Sequence, residues 1–130
     1  VKVYAILVDH GGWQQPLGYR FVGPDRTIVI SGDARPSESI VDACGGCDIL
    51  VHEVYSAERF TTRPPAWQQY HSRFHTSTVE LADIANRSGA GLVVLYHHLF
   101  WGTDDEGLLR EIRAAGYSGP LVSGKDLDVY

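Results

Sequence analysis

Six histidines stand in a chain of 130 residues, and their placement points to chemistry. His10, Asp33 and His97 each follow an apolar, β-branched run. A polar group just past a buried strand lands at the edge of the sheet, where open α/β sheets build their sites. Imidazole nitrogen and carboxylate oxygen are donors that zinc and related divalent ions accept. Singly, each has a plain structural role: His10 beside Gly11-Gly12 as turn chemistry, Asp33 as a loop cap, His97 or His98 as a satisfied histidine. Three strand ends carrying such groups together favour a metal. Neighbouring residues on a strand point to opposite faces, so only one of His97 and His98 reaches a common site. His75 precedes a helix start, whose positive dipole end disfavours the imidazolium. It is placed to act as a general acid toward a leaving group.

The elements that must position these groups read as follows. Residues 3–8, 18–22 and 27–31 are strands, the last two separated by Gly-Pro-Asp turn chemistry. Ser37 caps a short helix to about residue 43, and 49–51 is a buried strand ending at His52-Glu53. Ser77-Thr-Val-Glu80 is a capping box opening a helix to about Arg87, with Gly89 as its stop. Residues 92–96 form an apolar strand. Thr103-Asp-Asp-Glu106 is a second capping box, and 121–122 closes the chain with a short strand. The order is a β-meander followed by alternating helices and strands, an α/β layer in one domain spanning 1–130. Residues 54–74 show no periodicity and carry Pro64-Pro65, five aromatic residues, and Arg59, Arg63 and Arg73. So long a structureless stretch reads as an active-site loop or lid, and guanidinium forks suit phosphate, sulfate or carboxylate.

Composition narrows the partners. Eleven basic against sixteen acidic side chains give a net charge of −5, without the basic footprint of a dedicated nucleic-acid binder. A small anionic or ester substrate is favoured over nucleic acid. No apolar run approaches the roughly 20 residues that span a bilayer, and no signal peptide is evident, so the expectation is a cytoplasmic protein. Cys44-Gly-Gly-Cys47 follows a helix, whereas a redox pair needs its first cysteine at a helix N-terminus; the two thiols read as ordinary, partly buried side chains. The chain has no methionine, which points to a piece of something longer.

In order along the chain, five motifs resemble the C-terminal half of the metallo-β-lactamase superfamily, nearest to its ribonuclease Z and arylsulfatase-like metallohydrolases. Val8-Asp9-His10 with Gly18-Tyr19-Arg20-Phe21 resembles the histidine motif and Gly-Tyr-Arg strand. Ser31-Gly32-Asp33 resembles Gly-Asp-Thr, Leu50-Val-His52-Glu53 resembles Leu-x-His-Glu, His75-Thr76-Ser77 resembles His-Ser-Thr, and Val94-Leu95-Tyr96-His97 resembles Val-Leu-Thr-His. The resemblance implies half of an αββα sandwich. It implies a site for two zinc ions in which His10 ligates the first metal, Asp33 bridges both, His97 ligates the second and His75 protonates the leaving group, with a metal-bridging hydroxide as nucleophile. His52 and Glu53 then support the ligands without being ligands. His98 has no counterpart and rivals His97, and Arg59, Arg63 and Arg73 face substrate.

Two departures limit this. Ala34 stands where the family has threonine, removing a hydroxyl next to the ligands. The family's His-x-His-x-Asp-His motif does not occur. With His10, Asp33 and His97 alone each metal has two protein ligands, where catalytic zinc generally has three; this chain alone should bind zinc weakly or not at all and turn over little. Its inner sheet face should be an exposed apolar patch, paired with a missing N-terminal half or with another copy. The implied function is a metal-dependent hydrolase of a phosphodiester, sulfate ester or other ester. The alternative is a non-catalytic binding or assembly module with a degenerate metal site.

Overall fold

The computed structural model describes every residue, Val1–Tyr130. Six strands form one sheet in chain order: β1 (Lys2–Leu7), β2 (Leu17–Val22), β3 (Thr27–Ile30), β4 (Ile49–Tyr55), β5 (Leu92–Leu99) and β6 (Leu121–Ser123). β1, β2 and β3 pair antiparallel; β3 to β6 pair parallel. The change of direction follows from the connections. The turn between β2 and β3 is tight, with Gly23 N–H donating to the Arg26 carbonyl at 2.8 Å. Each later strand is reached by a crossover carrying at least one helix, the usual way to join parallel neighbours. The crossover helices are α1 (Glu38–Cys44), α2 (Ala57–Phe60), α3 (Pro65–Phe74), α4 (Thr78–Ser88) and α5 (Asp105–Ala114).

α1, α4 and α5 pack on one face of the sheet. There Val29, Leu50, Val93 and Leu95 meet Ile40, Leu81, Leu108 and Ile112, all fully buried. Alternation along the strands sends the remaining apolar side chains to the opposite face. That face carries Val3 and Leu7 of β1, Leu17 and Tyr19 of β2, Ile28 of β3 and Val94 of β5, and its β1–β2 corner is open: Leu7 is 62% exposed and Val3 55%. A hollow of about 480 Å³ lies on it between Ile28, Val94, Tyr96 and the C-terminal Tyr130. A folded, metal-free chain is therefore expected to enhance the fluorescence of an apolar dye such as ANS without denaturant. The double variant Val3→Lys, Leu7→Lys should bind less dye at unchanged thermal midpoint, because both side chains are already more than half exposed. Dye binding equal in the two proteins would place the exposed patch elsewhere.

Several boundaries differ from the sequence expectation, each for a local reason. Residues 54–74 are not a structureless loop. β4 continues to Tyr55, Ser56 caps α2 by accepting from the Arg59 N–H at 3.1 Å, and α3 starts on Pro65, tolerated in the first turn because its missing N–H has no partner there anyway. α3 has no fully buried side chain; its helical signal is Trp67, Tyr70 and Phe74 at i, i+3 and i+7, with Tyr70 stacked on Phe74. The capping box of α4 is present as expected, with Ser77 and Glu80 serving each other's backbone. At α5 the cap is Asp104 rather than Thr103, its carboxylate accepting from Gly107 N–H at 2.8 Å. Ser37 makes no capping bond; its hydroxyl meets that of Ser39. Cys44 and Cys47 are not free thiols but are joined in a disulfide across the turn that ends α1, and both are buried.

Candidate metal centre at the sheet edge

The C-terminal ends of β3, β4 and β5 and the segment between α3 and α4 meet at one edge. Asp33 follows β3 through Ser31 and Gly32. Gly32 holds φ +69, and a Cβ there would collide with the Leu17 carbonyl, so only glycine allows the turn that presents Asp33. Glu53 lies within β4 on the open-face side and is fully buried. His75 caps the C-terminus of α3, its N–H donating to the His71 carbonyl at 2.9 Å. The next residue fastens this segment: Thr76 Oγ1 donates to the Ala34 carbonyl at 2.8 Å, and its own carbonyl accepts from Tyr55 N–H at 2.9 Å.

His97 owes its position to a bulge. Tyr96 pairs with Glu53 and His98 with Val54, so His97 is an extra residue in β5 with no partner opposite. It takes φ +44, a left-handed conformation that an L-residue other than glycine adopts at a cost. The bulge reverses the alternation beyond it. His98 turns to the helix-packed face, where Nε2 meets Ser123 Oγ at 2.9 Å and the ring stacks on Phe100 at 5.0 Å.

Asp33, Glu53, His75 and His97 thus each bring a ligand atom within 4.8 Å of all the others. His75 Nδ1 lies 2.9 Å from Asp33 Oδ1 and 3.2 Å from Glu53 Oε1, and its ring stacks on that of His97 at 5.7 Å. Glu53 Oε1 also accepts from Ala34 N–H at 2.9 Å, while its Oε2 is buried with no partner. Two carboxylates, two imidazoles and an unsatisfied buried oxygen suit a divalent cation. Without one, the charge balancing the carboxylates is His75 itself. Burial alone would lower its pKa, but the hydrogen bonds and charges of Asp33 and Glu53 raise it to about 9. Burial raises Glu53 to about 7 against the lowering pull of His75. Burial would also raise Asp33, but its bond to His75 and the charges of His75, His10 and His97 outweigh that and lower it.

Four sequence expectations need adjusting. His75 was placed at a helix N-terminus, where its charged form is disfavoured; it also ends the preceding helix, and the facing carboxylates reverse the sign. Glu53, expected only to support ligands, stands in the donor group; a glutamate inside an apolar parallel strand was the signal for it. His10 lies beside the group rather than in it. Its Nδ1 is 2.9 Å from the Phe74 carbonyl and 3.3 Å from Asp33 Oδ1, and its ring is 5.6 Å from that of His75. With Nδ1–H donated to Phe74, Nε2 is the nitrogen left with a lone pair. Ala34, where the family has threonine, contacts the site through its backbone, by N–H to Glu53 and C=O from Thr76, which do not depend on its side chain.

The remaining candidates lie farther out. His52 is fully buried on the helix-packed side, its Nδ1 2.8 Å from the Glu53 carbonyl and its Nε2 without a partner; burial pushes its pKa down to about 4. Arg63 is committed to Trp101, donating to its carbonyl at 2.6 Å and lying over its ring. Arg59 and Arg73 are exposed and form no ion pair.

The chain is similar to known proteins over nearly its whole length. It is 31% identical over 128 residues to a ribonuclease Z of Mycobacterium tuberculosis, an alignment covering 98% of this chain and 47% of that protein. It is 28% identical over 130 residues to a ribonuclease Z of Mycobacterium marinum, covering 98% and 46%. It therefore spans about half the length of the curated relatives it matches. Among solved structures, a metallo-β-lactamase fold protein of Bacillus subtilis superposes with a TM-score of 0.74 at 20% identity, covering 95% of this chain and 46% of that one. The short form of human tRNase Z superposes with a TM-score of 0.57 at 24% identity over 74% of this chain and 35% of that one. No protein-family model matches.

Proposed function

We propose, from the premise that the chain belongs to the metallo-β-lactamase superfamily, that it supplies part of the site of a metal-dependent hydrolase acting on a phosphodiester, sulfate ester or other ester. The observation that carries the reading is the convergence of Asp33, Glu53, His75 and His97 from four chain segments onto one sheet edge. Asp33, Glu53 and His97 would hold a divalent metal, zinc by the chemistry of the donors, with His10 beside Asp33 as a further ligand. When bound, the metal supplies Lewis acidity and activates water for attack. His75 supplies the proton. Its Nδ1 is held between two carboxylates, so Nε2 is the atom that hands a proton to a departing oxygen. Arg59 and Arg73, unpaired on the neighbouring helices, suit an anionic substrate.

Zinc retained through gel filtration, measured by elemental analysis, tests the reading together with hydrolysis of a p-nitrophenyl phosphodiester. The wild-type chain is expected to retain zinc in less than two-ion stoichiometry. Asp33→Ala and His97→Ala should lose it, and Arg73→Ala should keep it. Equal zinc in Asp33→Ala and wild type would remove the donor group from consideration. Zinc bound with no hydrolysis, by this chain or together with a polypeptide completing the site, would favour the non-catalytic binding module.

A further inference from the structure

We infer that Asp105, Ser123 and His98 form a bracket that holds the β5 bulge in place and thereby aims His97 into the donor group; the inference rests on the reading of that group as a cation site. The bulge carries a cost in the positive φ of His97, and such a conformation persists only where the surroundings impose it. On the β4 side the backbone ladder holds the residues after the bulge, with Tyr55 paired to Leu99 and Ser56 N–H donating to the Leu99 carbonyl at 3.3 Å. Ladder pairing resumes at Val54 with His98, but it leaves His97 itself without a partner. On the other side stands a chain of side-chain bonds. Ser123 Oγ lies 2.5 Å from Asp105 Oδ1 and 2.9 Å from His98 Nε2.

A hydroxyl has one hydrogen. A carboxylate can only accept, so Ser123 donates to Asp105 and its lone pair accepts from His98 Nε2–H. The direction of both bonds is therefore fixed. Asp105 is in turn placed by the first turn of α5, behind the Asp104 cap, and Ser123 by the pairing of β6 with β5 at Leu95. Phe100 closes the fourth side by stacking on the His98 ring. The residue just after the bulge is thus tied to two rigid elements on the helix-packed face. If His98 were released, β5 could return to a regular pleat, which would swing His97 away from His75 and Asp33. None of the three bracket residues belongs to the donor group, and each acts on it only through His97.

The test uses the full chain, with Ser123→Ala to cut the bracket, Ser123→Thr to restore the hydroxyl and Asp105→Ala to cut its other end. Two readouts are taken. One is the cross-relaxation between His75 and His97 ring protons in metal-free protein, with the backbone coupling constant of His97 as a reporter of φ. The other is zinc affinity by chelator competition. Ser123→Ala and Asp105→Ala are expected to lose the ring contact and to lower zinc affinity roughly ten- to a hundredfold, as loss of a group orienting a ligand does, and Ser123→Thr to recover both. Retention of the ring contact in Ser123→Ala overturns the inference whatever zinc does. Should Ser123→Ala fail to fold, the same reading is taken from Asp105→Ala, where Asp104 still caps the helix. If the wild type binds no zinc, the cation reading falls while the ring contact still decides the bracket.

Discussion

Glu53→Ala is expected to destabilise the metal-free chain by about 3 kcal/mol at neutral pH. Three losses coincide. The buried Ala34 N–H is left without an acceptor, the charged His75 loses one of its two carboxylates, and a void opens in a strand where the glutamate is fully buried. Glu53→Gln should cost about a third as much, since an amide oxygen still accepts from Ala34 and the volume is kept. Urea unfolding in the presence of a chelator measures both. An alanine variant within about 1 kcal/mol of wild type would mean that solvent already satisfies these groups.

The second large effect is in pH. Stability of the metal-free chain should fall by about 3 kcal/mol between pH 6.5 and pH 9, and His75→Gln should flatten that decline. The sign follows from proton counting. An unfolded histidine takes up its proton near 6.5, whereas folded His75 holds it to about 9. Between those values the folded state binds more protons, so the contribution is complete below 6.5 and lost as pH rises through 9. Below 6.5 two buried groups oppose each other. Glu53, raised to about 7, favours the folded state increasingly as pH falls from 7 toward 4.5, and His52, lowered to about 4, disfavours it from 6.5 downward. The acid side should therefore be flatter than the alkaline side. Urea midpoints across this range decide; a profile flat from 6.5 to 9 in the wild type would show that His75 is not held by its carboxylates.

Much of this was legible in the chain, and what was not has definite causes. The strand order, the mixed pairing and the α4 capping box follow from β-branched runs, turn residues and a Ser-x-x-Glu spacing that act locally. Asp33 and His75 were legible because each is flanked by a turn or a cap. The choice of His97 over His98 rests on the motif resemblance alone, because counting alternate residues from Leu92 through Val94 and Tyr96 arrives at His98 on the site's face. One unpaired residue reverses that count, and nothing in an apolar strand announces it. α3 has a fainter signature: Trp67, Tyr70 and Phe74 recur at helical spacing, but Pro64-Pro65 and the absence of any fully buried side chain make the segment read as a loop. The sign of the His75 shift needed the third dimension, since Asp33 and Glu53 are distant in sequence and only the finished sheet sets them against it.

The parallel register of β3, β4 and β5 also fixes when the site can exist. Its four donors recur at intervals of twenty to twenty-two residues, and two crossovers, β3 to β4 and β4 to β5, must close before all four become neighbours. Pairings of such long range form late, after local helices and the antiparallel β1–β2–β3 meander. A cation offered to the nascent chain meets only isolated donors of ordinary affinity. The ion is therefore expected to bind after β5 docks rather than to nucleate the fold, so a bound ion is a clock that starts when β5 docks.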